Sequence, residues 1–191
     1  MTIKRESIIK ASNTLALNWA TTDINAERSL GPVNWEALQE YAINVKRKHA
    51  ANHDVQTTCQ LSSEYNMGGL NLVRRLDFQD GTSWIARIQL HKSASTGRLV
   101  REIDTMAVVR ERSNISVPEV FAYEADCNNA VGAPFMIMEF IPGDTAMDSF
   151  GGHRVHKGKT PPQFKAKFHA EMADIQVRSQ RIFPESTAQP Y

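Results

Sequence analysis

Three stretches carry residues whose types and spacing could do chemistry. Asn66-Met67-Gly68-Gly69 separates two strand-like runs. Without a Cβ, Gly68 and Gly69 would let backbone N–H groups approach phosphate oxygens, although the same pair also makes an ordinary tight turn. Arg87 sits inside the apolar run Trp84-Ile85-Ala86-Arg87-Ile88, with Glu102 fifteen residues further on. One reading is an edge-strand arginine reaching for water. The other is an ion pair between a strand cation and a helix carboxylate, which could hold the cation at nucleotide phosphates. The third stretch is Phe135-Met136-Ile137-Met138-Glu139-Phe140-Ile141-Pro142-Gly143. Main-chain groups where this strand meets its Pro-Gly break could bond a purine edge; a core strand ending in a turn needs no ligand.

The elements that must position these residues follow from the period of the apolar side chains. Residues 4–20 and 35–48 read as helices, the second with Trp35, Leu38, Tyr41 or Ala42, and Val45 on one face and Asn34 at its entry. From about residue 54 the period shortens. Strands are expected over 55–65, 70–78 and 82–90, the last two joined by Gln79-Asp80-Gly81, where Asp-Gly tolerates positive φ. A helix from Ser95 or Thr96 to Arg112 places Leu99, Ile103, Met106 and Val109 or Arg110 on one face. Strands over 117–124 and 134–140 follow, then a Gly- and Pro-rich stretch from 141 to 162. A last helix over 163–180 aligns Phe164, Phe168, Met172 and Ile175. The expected class is α+β, in three parts: a helical extension over 1–53, a five-stranded antiparallel sheet with one helix over 54–143, and a linker with one helix over 144–191.

Composition limits the partners. In 191 residues, 22 Lys and Arg face 21 Asp and Glu, a formal net charge of +1. No whole-molecule field gathers a polyanion, so nucleic acid is not expected; Lys46, Arg47, Lys48 and His49 read as the charged last turn of a helix. Two cysteines, Cys59 and Cys127, are too few for a zinc ribbon or a disulfide framework and suit a reducing compartment. His153 and His156 read as loop histidines rather than metal ligands. No apolar run approaches the ~18 residues of a membrane span. A cytoplasmic location is expected, while Lys4, Arg5 and Lys10, with few acids near them, leave a mitochondrial leader open.

The order glycine hairpin, strand cation, helix Glu, then strand into a Glu-x-x-Pro-Gly break resembles the N-lobe of the kinase-like fold. The wording Glu64-Tyr65-Asn66-Met67-Gly68-Gly69-Leu70, Gly81-Thr82-Ser83-Trp84-Ile85-Ala86-Arg87, Val117-Pro118-Glu119-Val120 and Val131-Gly132-Ala133-Pro134-Phe135 resembles the aminoglycoside phosphotransferase family, in a fungal form. The resemblance runs over about residues 35–183. The mitochondrial "altered inheritance of mitochondria" proteins are relatives in the same superfamily, which adds slight weight to the leader. The family implies transfer of the ATP γ-phosphate to a small-molecule hydroxyl, with magnesium. By position, Gly68 and Gly69 would lie over the phosphates, and Arg87 would stand where the family has lysine. Glu102 would be its partner, Met138 would resemble the gatekeeper, and the main chain of Glu139 and Ile141 would face adenine. Arg for Lys keeps the charge but reaches phosphate differently.

That resemblance also implies a His-Gly-Asp catalytic loop, and no His here has Asp two places on. His169-Ala170-Glu171 comes nearest and lies in a periodic helix, where a solvated face is its natural reading. No catalytic or metal-binding residue is therefore assigned, and the chain is expected to bind nucleotide without turning substrate over. The alternative is a non-catalytic interaction or scaffold module. A third reading is a marginal fold without function of its own, in which the exposed stripe Phe164, Phe168, Met172, Ile175 would be a sticky patch or a self-association contact.

Overall fold

Asn34 sets the start of the first helix, α1 (Trp35–His49). Its side-chain oxygen accepts the Ala37 N–H at 3.0 Å and its carbonyl accepts the Leu38 N–H at 3.2 Å. This is an N-cap: it satisfies donors that the first helical turn leaves open. The computed structural model describes residues 33–49, 57–90, 96–143, 155, 157 and 159–182. The expected helix over 4–20, the start of the first strand, most of the 144–162 stretch and the pair His153 and His156 lie outside them.

Five strands follow the expected order: β1 (Cys59–Met67), β2 (Asn71–Phe78), β3 (Ser83–Gln89), β4 (Val120–Glu124) and β5 (Phe135–Glu139). Helix α2 (Thr96–Arg112) separates β3 from β4. Every pairing is antiparallel and the strand order is β1-β2-β3-β5-β4, so β5 slots between β3 and β4. The α+β class and the five-stranded antiparallel sheet are as expected.

β3 is buried at nearly every position because both of its faces are covered. Trp84, Ala86 and Ile88 join Leu38, Ala42 and Val45 of α1 in the larger core. On the other face Leu99 and Ile103 of α2 pack with Met136, and Met138 and Val120 complete the cluster. Successive strand side chains point to opposite faces, which sends Arg87 to the α2 side. Trp84 itself stacks on Phe121 at 4.2 Å between ring centres and meets Phe78 edge-on at 4.8 Å.

The β2–β3 hairpin is the turn that Asp80-Gly81 announced. The Phe78 N–H bonds the Thr82 carbonyl at 2.9 Å, and Gly81 holds φ +83°, a left-handed backbone that suits glycine. β1, at the sheet edge, is interrupted: pairing passes from Leu61–Leu76 to Tyr65–Arg74. Arg74 donates two bonds to the Ser62 carbonyl in that bulge while its guanidinium lies 4.6 Å from the Trp35 ring centre. A bulged edge with an occupied carbonyl is a poor template for an added strand.

The contacts divide the chain into two compact units, with the break between Phe140 and Ile141. The second contains α3 (Pro162–Ile182). His169 and Glu171 are exposed on it, and Glu171 pairs with Lys167 one turn away at 3.9 Å, so the solvated-face reading holds. Phe164, Met172 and Ile175 are 40%, 48% and 39% exposed, and self-association through this stripe gains no support from the structure.

Candidate functional site

Arg87 and Glu102 do meet. The Arg87 Nη1 donates to Glu102 Oε1 across the β3–α2 interface, with both side chains partly buried. The Asn71 amide, turned with its oxygen toward the guanidinium, accepts from Arg87 Nε at 3.2 Å and Nη2 at 2.8 Å. Its nitrogen then donates to the Leu70 carbonyl at 3.3 Å. Three elements are thereby tied at one cation: β2 through Asn71, β3 through Arg87 and α2 through Glu102. Sequence reasoning missed Asn71, because it comes into view only through the β2–β3 register. With Val73 opposite Arg87, Asn71 is the diagonal neighbour on the same face.

The glycine turn is closed on itself. The Gly68 N–H donates to the Asn71 carbonyl at 2.9 Å. A Cβ at Gly68 would come no nearer than 4.0 Å to any atom, and one at Gly69 would meet nothing within that distance. Neither glycine holds positive φ; among the described residues, Gly81 and Gly132 do. The fold does not itself demand glycine at 68 and 69.

At the strand exit, Met138 packs in the cluster beneath α2. The Glu139 N–H donates to the Glu119 carbonyl at 2.7 Å, so it belongs to the β4–β5 edge and does not point to a ligand. Ile141 is exposed and lies in the second unit. The seven residues thus divide: Arg87 and Glu102 form one cluster, and Met138 shares their face of the sheet. Gly68, Gly69, Glu139 and Ile141 serve the backbone or stand apart. Nucleotide and magnesium gain no support from this geometry. Among the described residues, no three His, Cys, Asp or Glu side chains are grouped to hold a metal ion.

A different feature lies along α2. Ile103, Met106, Ala107, Arg110 and Glu111 form one wall of a groove of about 410 Å³, and Pro118, Glu119 and Val120 form the other. Its floor is apolar and its rim is charged. Arg110 is held by Glu119 at 2.9 Å, by Glu139 at 3.6 Å and by the Val117 carbonyl at 3.3 Å. The Glu139 carboxylate also accepts the Glu119 N–H at 3.1 Å. The sequence signal was the length of the apolar row: Leu99 and Ile103 are buried, whereas Met106 and Ala107 continue it past the sheet.

Comparison with known proteins finds fungal proteins, several of them named as mitochondrial, that are similar to this chain in sequence. The chain is 26% identical over 129 residues to "Altered inheritance of mitochondria protein 9, mitochondrial" of Lodderomyces elongisporus, covering 66% of this chain and 20% of the relative. The protein of the same name from Komagataella phaffii is 33% identical over 110 residues, covering 56% of this chain and 18% of the relative. A "Subtelomeric hrmA-associated cluster protein" of Aspergillus fumigatus is 33% identical over 91 residues, covering 47% and 18%. The chain spans about a fifth of the length of these relatives. No family model matches it. No solved structure matches it.

These findings correct the phosphotransferase reading. No family model supports it, and two of these three relatives carry a name from mitochondrial inheritance, with nothing in any of the names that indicates a transferase, a kinase or ATP binding. The physical reason is that a glycine turn, a strand cation and a helix carboxylate in that order specify an architecture, and an architecture does not specify its chemistry. Arg87 and Glu102 are bonded to each other and to Asn71, which ties β2, β3 and α2 together. The fungal wording agrees with the organisms of the relatives. The names of those relatives favour the mitochondrial reading of location and lend none to the cytoplasmic one.

Proposed function

We propose that this chain is a non-catalytic interaction module that acts in the mitochondrion and holds a protein partner in the groove between α2 and β4. The observation that carries the reading is the groove itself. Ile103, Met106, Ala107 and Val120 offer an apolar floor inside a charged rim, the arrangement by which a surface holds a partner and fixes its register. The mitochondrial names of relatives support the compartment. The Arg87–Glu102–Asn71 cluster keeps α2, and hence one wall of the groove, in place on the sheet.

The test is a photo-crosslinking amino acid placed at Met106, on the groove wall, or at Thr105, exposed on another face of the same helix. The chain is expressed in fungal cells, and the adducts are read from isolated mitochondria. A discrete adduct from position 106 and none from 105 is expected. Equal labelling from both positions, no adduct, or a chain recovered wholly outside mitochondria would refute the proposal.

A further inference from the structure

The β2–β3 turn holds the single Asp-Gly or Asn-Gly dipeptide of the sequence, Asp80-Gly81. Such a pair carries a reaction of its own, because glycine has no side chain to keep its nitrogen from the preceding carboxyl. The Gly81 nitrogen can attack Asp80 Cγ. A Cγ–N bond forms, a Cγ–O bond breaks, and the carboxyl's hydroxyl leaves as water, taking the amide proton. A water then opens the succinimide ring. Attack at Cγ restores aspartate. Attack at the main-chain carbonyl carbon gives isoaspartate, whose backbone runs through the former side chain.

Asp80 and Gly81 are both exposed, the Asp80 side chain by 51%, so water for the second step is at hand. Ring closure is the step that the surroundings oppose. Asp80 Oδ1 accepts from the Thr82 N–H at 2.9 Å and from Thr82 Oγ1 at 2.6 Å. Its Oδ2 meets Lys46 Nζ, from α1, at 3.1 Å. The carboxyl must leave these donors before it can reach the Gly81 nitrogen. That nitrogen is itself engaged, donating to the Phe78 carbonyl at 3.0 Å. Gln79, the other turn residue, is fastened to Thr58 through its N–H at 3.3 Å and its Oε1 at 3.2 Å. The Thr82 hydroxyl foremost, with Lys46 beside it, lowers the Asp80 carboxyl to about 2, and a carboxylate lacks the hydroxyl that must leave.

We propose that Asp80-Gly81 is a site of isoaspartate formation whose rate is set by α1, through the hold of Lys46 and Thr82 on the Asp80 carboxyl. While Lys46 is seated the dipeptide is protected, and once it lifts away the ring closes. Isoaspartate lengthens the main chain inside a turn closed by the Phe78 N–H on the Thr82 carbonyl at 2.9 Å, so the product does not fit the β2–β3 register. The inference is independent of the groove and its partner.

The test is slow ageing of the full chain in neutral buffer beside a synthetic peptide of residues 76–86, with isoaspartate at position 80 measured by peptide mapping. The parent should convert at least about tenfold more slowly than the peptide, because conversion must wait for a local opening. Lys46→Met keeps an unbranched chain over Phe78 and Trp84 without the charge, and Thr82→Val keeps the branched shape without the hydroxyl. Each should convert about threefold faster than the parent or more. Leu99→Ala lowers stability from the cluster beneath α2 and leaves the hold on Asp80 intact, so its rate should stay near the parent's. A parent as fast as the peptide, or Lys46 and Thr82 variants no faster than the parent, overturns the inference. Leu99→Ala accelerating as much as Lys46→Met overturns it too, since global unfolding would then open the site.

Discussion

At the scale of single residues, Arg87 is the side chain whose role is decided by its partners. An arginine in a strand covered on both faces must have its charge answered, since desolvation without a partner costs several kcal/mol. Glu102 answers Nη1, and Asn71 answers Nε and Nη2. The pair itself was legible, because a strand cation and a carboxylate early in the following helix can be paired on paper. Its purpose was not legible. Whether the cluster holds a ligand or holds the fold depends on the third partner, and Asn71 is visible only once the β2–β3 register is known. A cycle of Arg87→Met, Glu102→Gln and the double variant separates these roles. Each single change should cost about 1–2 kcal/mol, discounted for the partial exposure of both groups. The double variant should cost less than the sum, because no charge is then left alone. Urea unfolding followed by tryptophan fluorescence measures this. Single variants indistinguishable from the parent would mean that the cluster contributes nothing to the framework.

At the scale of elements, the turns separate glycines that the backbone requires from glycines that it tolerates. Gly81→Ala places a Cβ at φ +83°, where nothing crowds it but the backbone itself is strained, at about 1–2 kcal/mol. Gly69→Ala meets no atom and no such φ, so its cost should lie near zero. Thermal unfolding of the two variants is the comparison, and an equal loss from both would contradict it. The same hairpin carries a charged clasp from α1. Lys46 lies 5.1 Å from the ring centres of both Phe78 and Trp84, and its amine reaches Asp80 at 3.1 Å and Thr82 Oγ1 at 2.7 Å. Asp80 also accepts the Thr82 hydroxyl at 2.6 Å. That bond foremost, with Lys46 beside it, lowers the Asp80 carboxyl from 3.8 to about 2. A depressed acid contributes stability above its unfolded value and loses it as pH falls through the folded one. Between about pH 4 and pH 2 the parent should therefore lose stability that Asp80→Asn never had; parallel acid profiles would exclude the clasp. The elements were readable because their signals are local: a cap at Asn34, Asp-Gly at the turn, and apolar spacing along α2. The β1 bulge was not readable, since it is set by where Arg74 finds a carbonyl across the strand pair.

At the scale of the whole molecule, the sheet has two coverings of unequal depth, and this decides how the groove responds to damage. The run Trp84-Ile85-Ala86-Arg87-Ile88 read as an apolar strand carrying one cation, either at an edge or paired with a helix carboxylate. What local pattern could not show is that β5 enters between β3 and β4, which places Met136 and Met138 under α2 and opens the groove beside it. Leu38, fully buried from α1, belongs to the broad core shared by β1, β2, β3 and β5. Leu99, 1% exposed, belongs to the smaller cluster that seats α2. Either residue changed to Ala should cost about 2–5 kcal/mol if its surroundings cannot collapse. The losses should spread differently, because proteins open in cooperative pieces. Leu38→Ala should speed amide hydrogen exchange across β1, β2 and β3 together. Leu99→Ala should speed it first in α2, leave the β1–β2 pair close to the parent, and lower the photo-crosslinking yield from position 106 by releasing one wall of the groove. If Leu99→Ala instead destabilised β1 and β2 as much as α2, the two faces would form one core. The groove would then have no independent wall to lose.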